Sequence, residues 1–311
     1  MGERGQASVE WVAVVAVLAL AFAGLAVAGA GVPGAGLARA IAARLLCGAA
    51  LVDECGDAPR LVAAYGTEVA ALLRRHTPTL VFERGSRALP VDFRRCRFSR
   101  CADGARSGLV ARSRAGLPVT AFTRVIDCRP GGEERAESEG ADCSGPRAGS
   151  LYLQWWLYYA DSATLRGVPV AGERGYHRDD WEMAAVRIAP DGSVAQRASS
   201  HHGFNYAGGP GNWGSDAGVE LASALAEALG ARRPGGWGPR TGLHFVSGGS
   251  HAGAAAGGVH DPDAPGARYV PGRRIRLVPL EPIAAATRAR FAVTSPWRKR
   301  VWRDPEATRT D

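Results

Sequence analysis

The pattern of apolar and polar positions changes character twice along this chain. Residues 11–32 carry no charge over 22 positions, a length that spans a bilayer as a helix. Next comes an apolar stretch, 37–46, with Arg39 and Arg44 on it. Leu61, Tyr65, Val69, Leu72 and Leu73 then recur at helical spacing, with Glu68, Arg74 and Arg75 off that stripe. From Thr79 onward short apolar runs are split by Gly and Pro. Strands are predicted at 79–83, 89–93, 117–126, 151–159, 180–188, 194–199, 243–247 and 274–278. The run 151–159 is apolar on both faces and reads as a central strand buried on both sides. One helix interrupts the series at 218–229, where Val219, Leu221, Leu225 and Leu229 fall on one stripe. Many short strands between turn signals predict a mainly β fold, a β-sandwich with a few peripheral helices, preceded by an N-terminal transmembrane helix. A parallel α/β fold would need a helix after nearly every strand. The expected division is 1–36 leader and transmembrane helix, 37–75 helical stalk, 76–292 sandwich, and 293–311 a basic tail that frays. His76 is expected as a cap or surface residue.

The densest chemistry lies at Tyr176-His177-Arg178-Asp179-Asp180-Trp181-Glu182. A strand starting at Asp180 puts Asp180, Glu182, Ala184, Val186 and Ile188 on one face. Two carboxylates then share an inward face with three apolar residues. Such a pair is costly to bury unless it is matched by a cation. The cation is either a hard divalent metal, or Arg178, Arg187 or a protonated histidine in a structural ion pair.

Charge narrows the class of partner. Among 311 residues with net charge +8, Lys299 is the only lysine. The basic residues are scattered, without the clustering or aromatic interleaving of a nucleic-acid module. A basic protein outside the cytoplasm is drawn instead to anionic envelope polymers or lipid headgroups. The six cysteines are Cys47, Cys55, Cys96, Cys101, Cys128 and Cys143. Six cysteines allow fifteen pairings; their grouping suggests local closure of Cys47 with Cys55, Cys96 with Cys101, and Cys128 with Cys143. No C-x-x-C pair exists and no cysteine neighbours a histidine, which argues against zinc.

Two segments resemble known families. Gly5-Gln6-Ala7-Ser8-Val9-Glu10, followed by the apolar run, resembles the processing site of type IV pilin-like precursors, including the small Flp and TadE-like pseudopilins. That resemblance implies cleavage after Gly5, a glutamate fifth in the mature chain, and a single-pass membrane protein with its bulk outside the cytoplasm. An uncleaved signal anchor implies the same placement. Tyr176 to Glu182 is similar to the G-H-R-H-D-W-E heptad of the necrosis-inducing, ethylene-inducing cytolysins. It also resembles the H-x-x-D-W-E of a broader set related to vacuolar-protein-sorting-associated proteins. Tyr176 stands where that heptad has Gly, and Asp179 where it has the second His. An aromatic strand ending in Asp161 precedes the motif, and Gly249-Ser250-His251-Ala252 resembles a turn of the broader set. The resemblance implies a β-sandwich with a calcium- or magnesium-type ion at its rim, on Asp161, His177, Asp180 and Glu182.

Three functions remain open. The resemblance implies a binding module that uses a divalent cation, calcium or magnesium before zinc, to hold a glycan, a lipid headgroup or another anionic envelope ligand. The second is a metal-dependent hydrolase of an envelope substrate, with His202 or His251 as general base. His201, His244 and His260 are further histidines downstream. Ser250 lacks the strand-to-helix elbow of a nucleophile. The third is a structural subunit of a pilin-like or envelope assembly. The leader generates the first prediction: N-terminal sequencing of the membrane-purified protein should begin at Gln6. A chain beginning at Met1, or beyond Ala30, would refute pilin-like processing.

Overall fold

The computed structural model describes residues 58–83, 88–96, 118–163, 176–200, 203–205, 236–255, 268–280 and 290–310. The leader, the apolar run 11–32, most of the stalk and the expected helix at 218–229 lie outside these residues. Among the described residues no helix is long and apolar enough to cross a membrane.

The expected helical stripe forms α1, Ala58–His76. Two helical segments meet at Gly66, whose φ of 80° and ψ of 165° are non-helical. Glycine alone enters that region without steric cost, so the break falls on it. The chain also divides here: Thr67–Asp311 form one compact unit. His76, expected at the surface, is buried, and burial together with the Arg240 and Arg75 charges lowers its pKa to about 4.

The Thr67–Asp311 unit is mainly β. Its strands are β1 (Thr79–Phe82), β2 (Thr120–Asp127), β3 (Leu151–Ala163), β4 (Tyr176–Ile188), β5 (Val194–Ser200), β6 (Gly203–Phe204), β7 (Gly238–Pro239), β8 (Leu243–Val246), β9 (Gly253–Ala254), β10 (Arg268–Val270) and β11 (Arg276–Pro279). Four of them form a sheet in the order β10-β1-β8-β9. The other sheet has seven strands, ordered β11-β2-β3-β4-β5-β6, with β7 paired to β5. Pairing is antiparallel except for β1 with β8 and β11 with β2. The run at 89–93 is not a strand. Pro90 brings no N–H to a ladder, and Asp92 turns the chain by accepting from the Arg94 backbone N at 3.0 Å. A short helix α2, Phe93–Cys96, follows.

β3 holds the centre of the larger sheet, as its two-sided apolar pattern predicted. One face carries Tyr152, Trp156 and Tyr158, which join Phe93, Phe122, Trp181, Met183 and Ala185 in an aromatic-rich core. The opposite face carries Leu153, Trp155, Leu157 and Tyr159, all buried. Branched and aromatic side chains suit such a doubly covered strand.

A disulfide joins Cys128 to Cys143, as expected, and closes a loop with a sequence separation of 15. The loop contains the short helix α3, Glu133–Ser138. In the chain-entropy model a closure of that size contributes about 3 kcal/mol. Cys96 is also disulfide-bonded, whereas Cys47, Cys55 and Cys101 lie outside the described residues.

The segment expected to fray does the opposite. After a 3-10 turn at Pro296–Arg298, helix α4 (Arg300–Arg303) buries Val301 and Trp302 in the aromatic core. Its basic residues flank these two buried ones, Arg300 before and Arg303 after. Arg124 lies over the Trp302 ring, 3.8 Å from its centroid, and donates to the Trp302 carbonyl. Arg197, fully buried, donates to the carbonyls of Ala307 at 3.0 Å and Pro305 at 2.6 Å. Burial lowers the Arg197 pKa to about 9, against the raising charges of Glu306 and Asp304. Glu306 accepts from Tyr152 Oη at 2.8 Å, Trp237 Nε1 at 2.8 Å and Arg187 at 3.0 Å. Removing one partner from such a network leaves buried charge uncompensated. Glu306→Ala should therefore lower unfolding stability by about 3 kcal/mol, read as a shift in the urea midpoint. A loss below about 0.5 kcal/mol, the level of an ordinary surface substitution, would make the segment dispensable.

Candidate functional site

The β3–β4 pairing sets the geometry. Tyr159 lies opposite Asp180, Leu157 opposite Glu182, Asp161 opposite Arg178, and Ser162 opposite His177. Between the two carboxylates sits Trp181, packed on the far face against Tyr158 at 5.1 Å, Phe93 at 5.4 Å and Phe291 at 5.5 Å between ring centroids. Strand alternation then turns Asp180 and Glu182 to the face shared with Tyr159. Each is only 8% exposed.

Asp179 leaves the extended backbone while keeping its side chain on the Trp181 face. Its φ is 57°, a region that Asp tolerates better than most side chains. Its carboxylate is held from both sides, by Tyr158 Oη at 2.6 Å and the Ala292 backbone N at 2.8 Å. Asp179 is thus a clamp on the entry to the strand.

The neighbour of Asp180 is one the heptad alone does not name. His251 Nδ1 donates to Asp180 Oδ2 at 2.8 Å. His251 lies just after the turn that follows β8, at φ 56° after Gly249 at φ 90°. Its ring stacks on Tyr159, with centroids 3.9 Å apart and planes within 7°. Both rings are fully buried. The carboxylate fixes the Nδ1–H tautomer. Among the described residues, Nε2 of His251 and Oη of Tyr159 have no hydrogen-bond partner. Burial, with the Glu182 and Asp180 charges, pushes the Tyr159 pKa well up.

Glu182 takes its hydrogen bond from Ser199 Oγ, which lies 2.6 Å from Oε2. Ser199 in turn accepts from the Met183 backbone N at 2.5 Å. The β4–β5 ladder has ended just before, at Ala184 and Ala198, so Ser199 stands in for a lost ladder bond. Burial raises the Glu182 pKa well above the ordinary carboxylate range, and the Asp180 charge adds to it. The Lys299 charge and the Ser199 hydroxyl oppose that rise. His244 comes from β8 to the same interior. A Cβ on Gly253 would lie 2.8 Å from both His244 Cε1 and the Ser199 carbonyl oxygen, so the ring and Ser199 flank one glycine. Burial lowers the His244 pKa to about 4, and among the described residues neither ring nitrogen has a partner.

The expected ligands are therefore split. Asp180 and Glu182 come together, and His251 joins them. Asp161 is fully buried and accepts from Tyr176 Oη at 3.2 Å. His177 Nδ1 is 2.9 Å from the Asp179 carbonyl oxygen. Among the described residues no group of three His, Cys, Asp or Glu side chains is arranged to hold a metal ion. The donor set nevertheless fits one side of a hard-cation shell. It offers two buried carboxylates on one face, one of them pushed up by burial and then by the other's charge, beside an imidazole nitrogen with no partner among the described residues. His201, His202 and His260 lie outside the described residues. The histidine turn was legible as Gly249-Ser250-His251; nothing in the spacing told that it reaches Asp180.

These shifts have a pH signature. His244 has a folded pKa of about 4 against an ordinary value of 6.5. The unfolded chain binds the proton first, so stability is complete above 6.5 and is lost as pH falls toward 4. His244→Leu should flatten that limb of the stability–pH curve, and an unchanged limb would assign the acid sensitivity elsewhere. Glu182 acts in the other sense: its raised folded pKa costs stability as pH rises above the ordinary glutamate value, so Glu182→Gln should gain stability toward neutral pH.

No family model, no curated protein and no solved structure matches this chain.

Proposed function

We propose that the chain is an exported, membrane-anchored β-sandwich protein that binds an anionic envelope ligand, a glycan or a lipid headgroup, through a divalent cation at Asp180 and Glu182. One observation carries this reading. Two carboxylates share a buried face of β4, and burial together with the Asp180 charge pushes Glu182 well up. A cation there relieves both the burial cost and the repulsion. Calcium or magnesium suits oxygen donors, and magnesium in particular is held by one or two carboxylates with water or ligand oxygens filling the rest. That stoichiometry fits a site offering two carboxylates rather than a closed protein cage. By the strand period Asp161 lies on the Asp180 face, bonded to Tyr176, whereas His177 falls on the opposite face, so the reading rests on Asp180 and Glu182. The anchor rests on the apolar run 11–32 and the pilin-like leader.

His251 supports a second reading. Asp180 engages Nδ1 and leaves Nε2 open, the arrangement of a general base. A metal-dependent hydrolase would use it so, and His202 is the other candidate base.

The test is thermal unfolding of the full chain with magnesium, calcium or EDTA. A bound ion should stabilise the fold by about 2.7 kcal/mol when free ion is a hundredfold above its dissociation constant. Asp180→Asn should abolish the gain without unfolding the protein. A melting temperature indifferent to both ions and to EDTA would leave the Asp180–His251 contact as a structural ion pair.

A further inference from the structure

The basic residues are scattered in sequence, yet the fold gathers five of them at one end of the Thr67–Asp311 unit. Three segments meet there. The first is the last turn of α1, with Arg74 and Arg75. The second is the turn before β8, whose Gly242 carbonyl accepts from the Thr79 N–H at 2.8 Å. It brings Arg240, which donates to the Arg75 carbonyl at 3.1 Å. The third is the 3-10 turn Gly272–Arg274. It packs so closely on the chain after α1 that a Cβ on Gly272 would collide with the Thr77 carbonyl oxygen. Arg74 donates to the Ile275 carbonyl at 3.1 Å and ties that turn to the helix. Arg75, Arg240, Arg273 and Arg274 are exposed.

Residues 69–82, 236–255 and 268–280 contain no Asp or Glu. Glu68, the only carboxylate on α1, lies two turns before Arg75 and is paired with Arg129 at 2.8 Å. Among the described residues no carboxylate forms an ion pair with the four exposed arginines. Their field reaches inward: after burial, the Arg240 and Arg75 charges hold the His76 pKa down. Such a concentration of one sign attracts a polyanionic partner. We propose that this arginine end is a docking surface for the headgroups of an anionic phospholipid bilayer. Two observations favour a bilayer over a soluble polyanion. The uncharged run 11–32 is long enough to span one, and residues 33–66, even fully extended, keep the unit within about 120 Å of it. Such a tether makes docking an intramolecular step, for which a weak surface suffices. Tyr269, 43% exposed on β10 shortly before the 3-10 turn, adds an amphipathic ring of the kind that sits at headgroup level. The choice of a bilayer rests on the anchor reading above. Docking by arginine charge needs no divalent cation, so it is separate from Asp180 and Glu182.

The test uses the full chain, with EDTA throughout, reconstituted into vesicles of phosphatidylcholine or of phosphatidylcholine with phosphatidylglycerol. Arginine side chains are labelled with phenylglyoxal, and the rate at each site is read by peptide mass spectrometry. Arg75 and Arg240 should label more slowly beside phosphatidylglycerol, and high salt should abolish the difference. Arg135, exposed on α3 and paired with Glu139, should label equally in both. The double variant Arg273→Gln, Arg274→Gln removes two exposed charges. At about fivefold per charge near an anionic bilayer, docking should weaken about 25-fold and the Arg75 and Arg240 rates should recover. Equal rates in the two lipids, slowing that Arg135 shares, or slowing that persists in the double variant overturns the proposal. So does protection by soluble polyphosphate that phosphatidylglycerol does not match, which assigns the surface to an anionic polymer. Flotation reads the anchor separately, because a chain that fails to float with phosphatidylcholine vesicles refutes it. The docking surface is then supported by flotation with the phosphatidylglycerol vesicles alone, lost in the double variant, and refuted by flotation with neither.

Discussion

The site depends on where Trp181 goes. An indole is the largest apolar side chain on β4, and the aromatic layer of Phe93, Phe122, Tyr158 and Phe291 receives it. Once it is committed to that layer, the period of two leaves Asp180 and Glu182 no freedom to face water. A one-residue slip would put the carboxylates among the aromatic rings and the indole among Leu157, Tyr159 and His251. Burial of two acids is thus a consequence of packing one tryptophan. The interior compensates locally: a serine for Glu182, a histidine for Asp180, and a lysine charge at the strand edge.

The opposite side of the larger sheet solves a related problem with arginines. Arg124 and Arg197 lie flat on aromatic rings, Arg124 on Trp302 and Arg197 on Phe204, 3.6 Å from its centroid, and on Trp237 at 4.3 Å. Each also donates to main-chain carbonyls of residues 302–307. Planar guanidinium groups stack and hydrogen-bond at once, which lets a sheet with two basic residues in its face stay closed. The two polar systems meet at Lys299, which donates to the Trp181 carbonyl between the carboxylates.

Much of this was legible as pattern. The two-sided apolar run at 151–159 marked the central strand, alternation placed Asp180 and Glu182 together, and the short spacing of Cys128 and Cys143 gave their bond. Three features were not legible, for physical reasons. Residues 293–311 look like a charged tail because stacking turns arginine from a solubilising group into a packing one, and composition does not register the difference. Asp179 adopts a left-handed conformation that is set by Tyr158 and Ala292, which are distant in sequence. The contact of His251 with Asp180 spans 71 residues and depends on a pairing between two sheets. Local periodicity carries no information about such closures.

The segment at 296–310 follows every strand in chain order, yet it supplies Val301, Trp302 and Glu306 to the core. A chain that emerges from the ribosome N-terminus first lacks the carbonyls of residues 301–307 that receive Arg124, Gln154 and Arg197 until that segment arrives. The larger sheet can collapse earlier, but its polar interior stays open to water. Completion is therefore a late and non-local event, of the kind that slows folding. The interior is thus sealed by a segment that is made after all the strands.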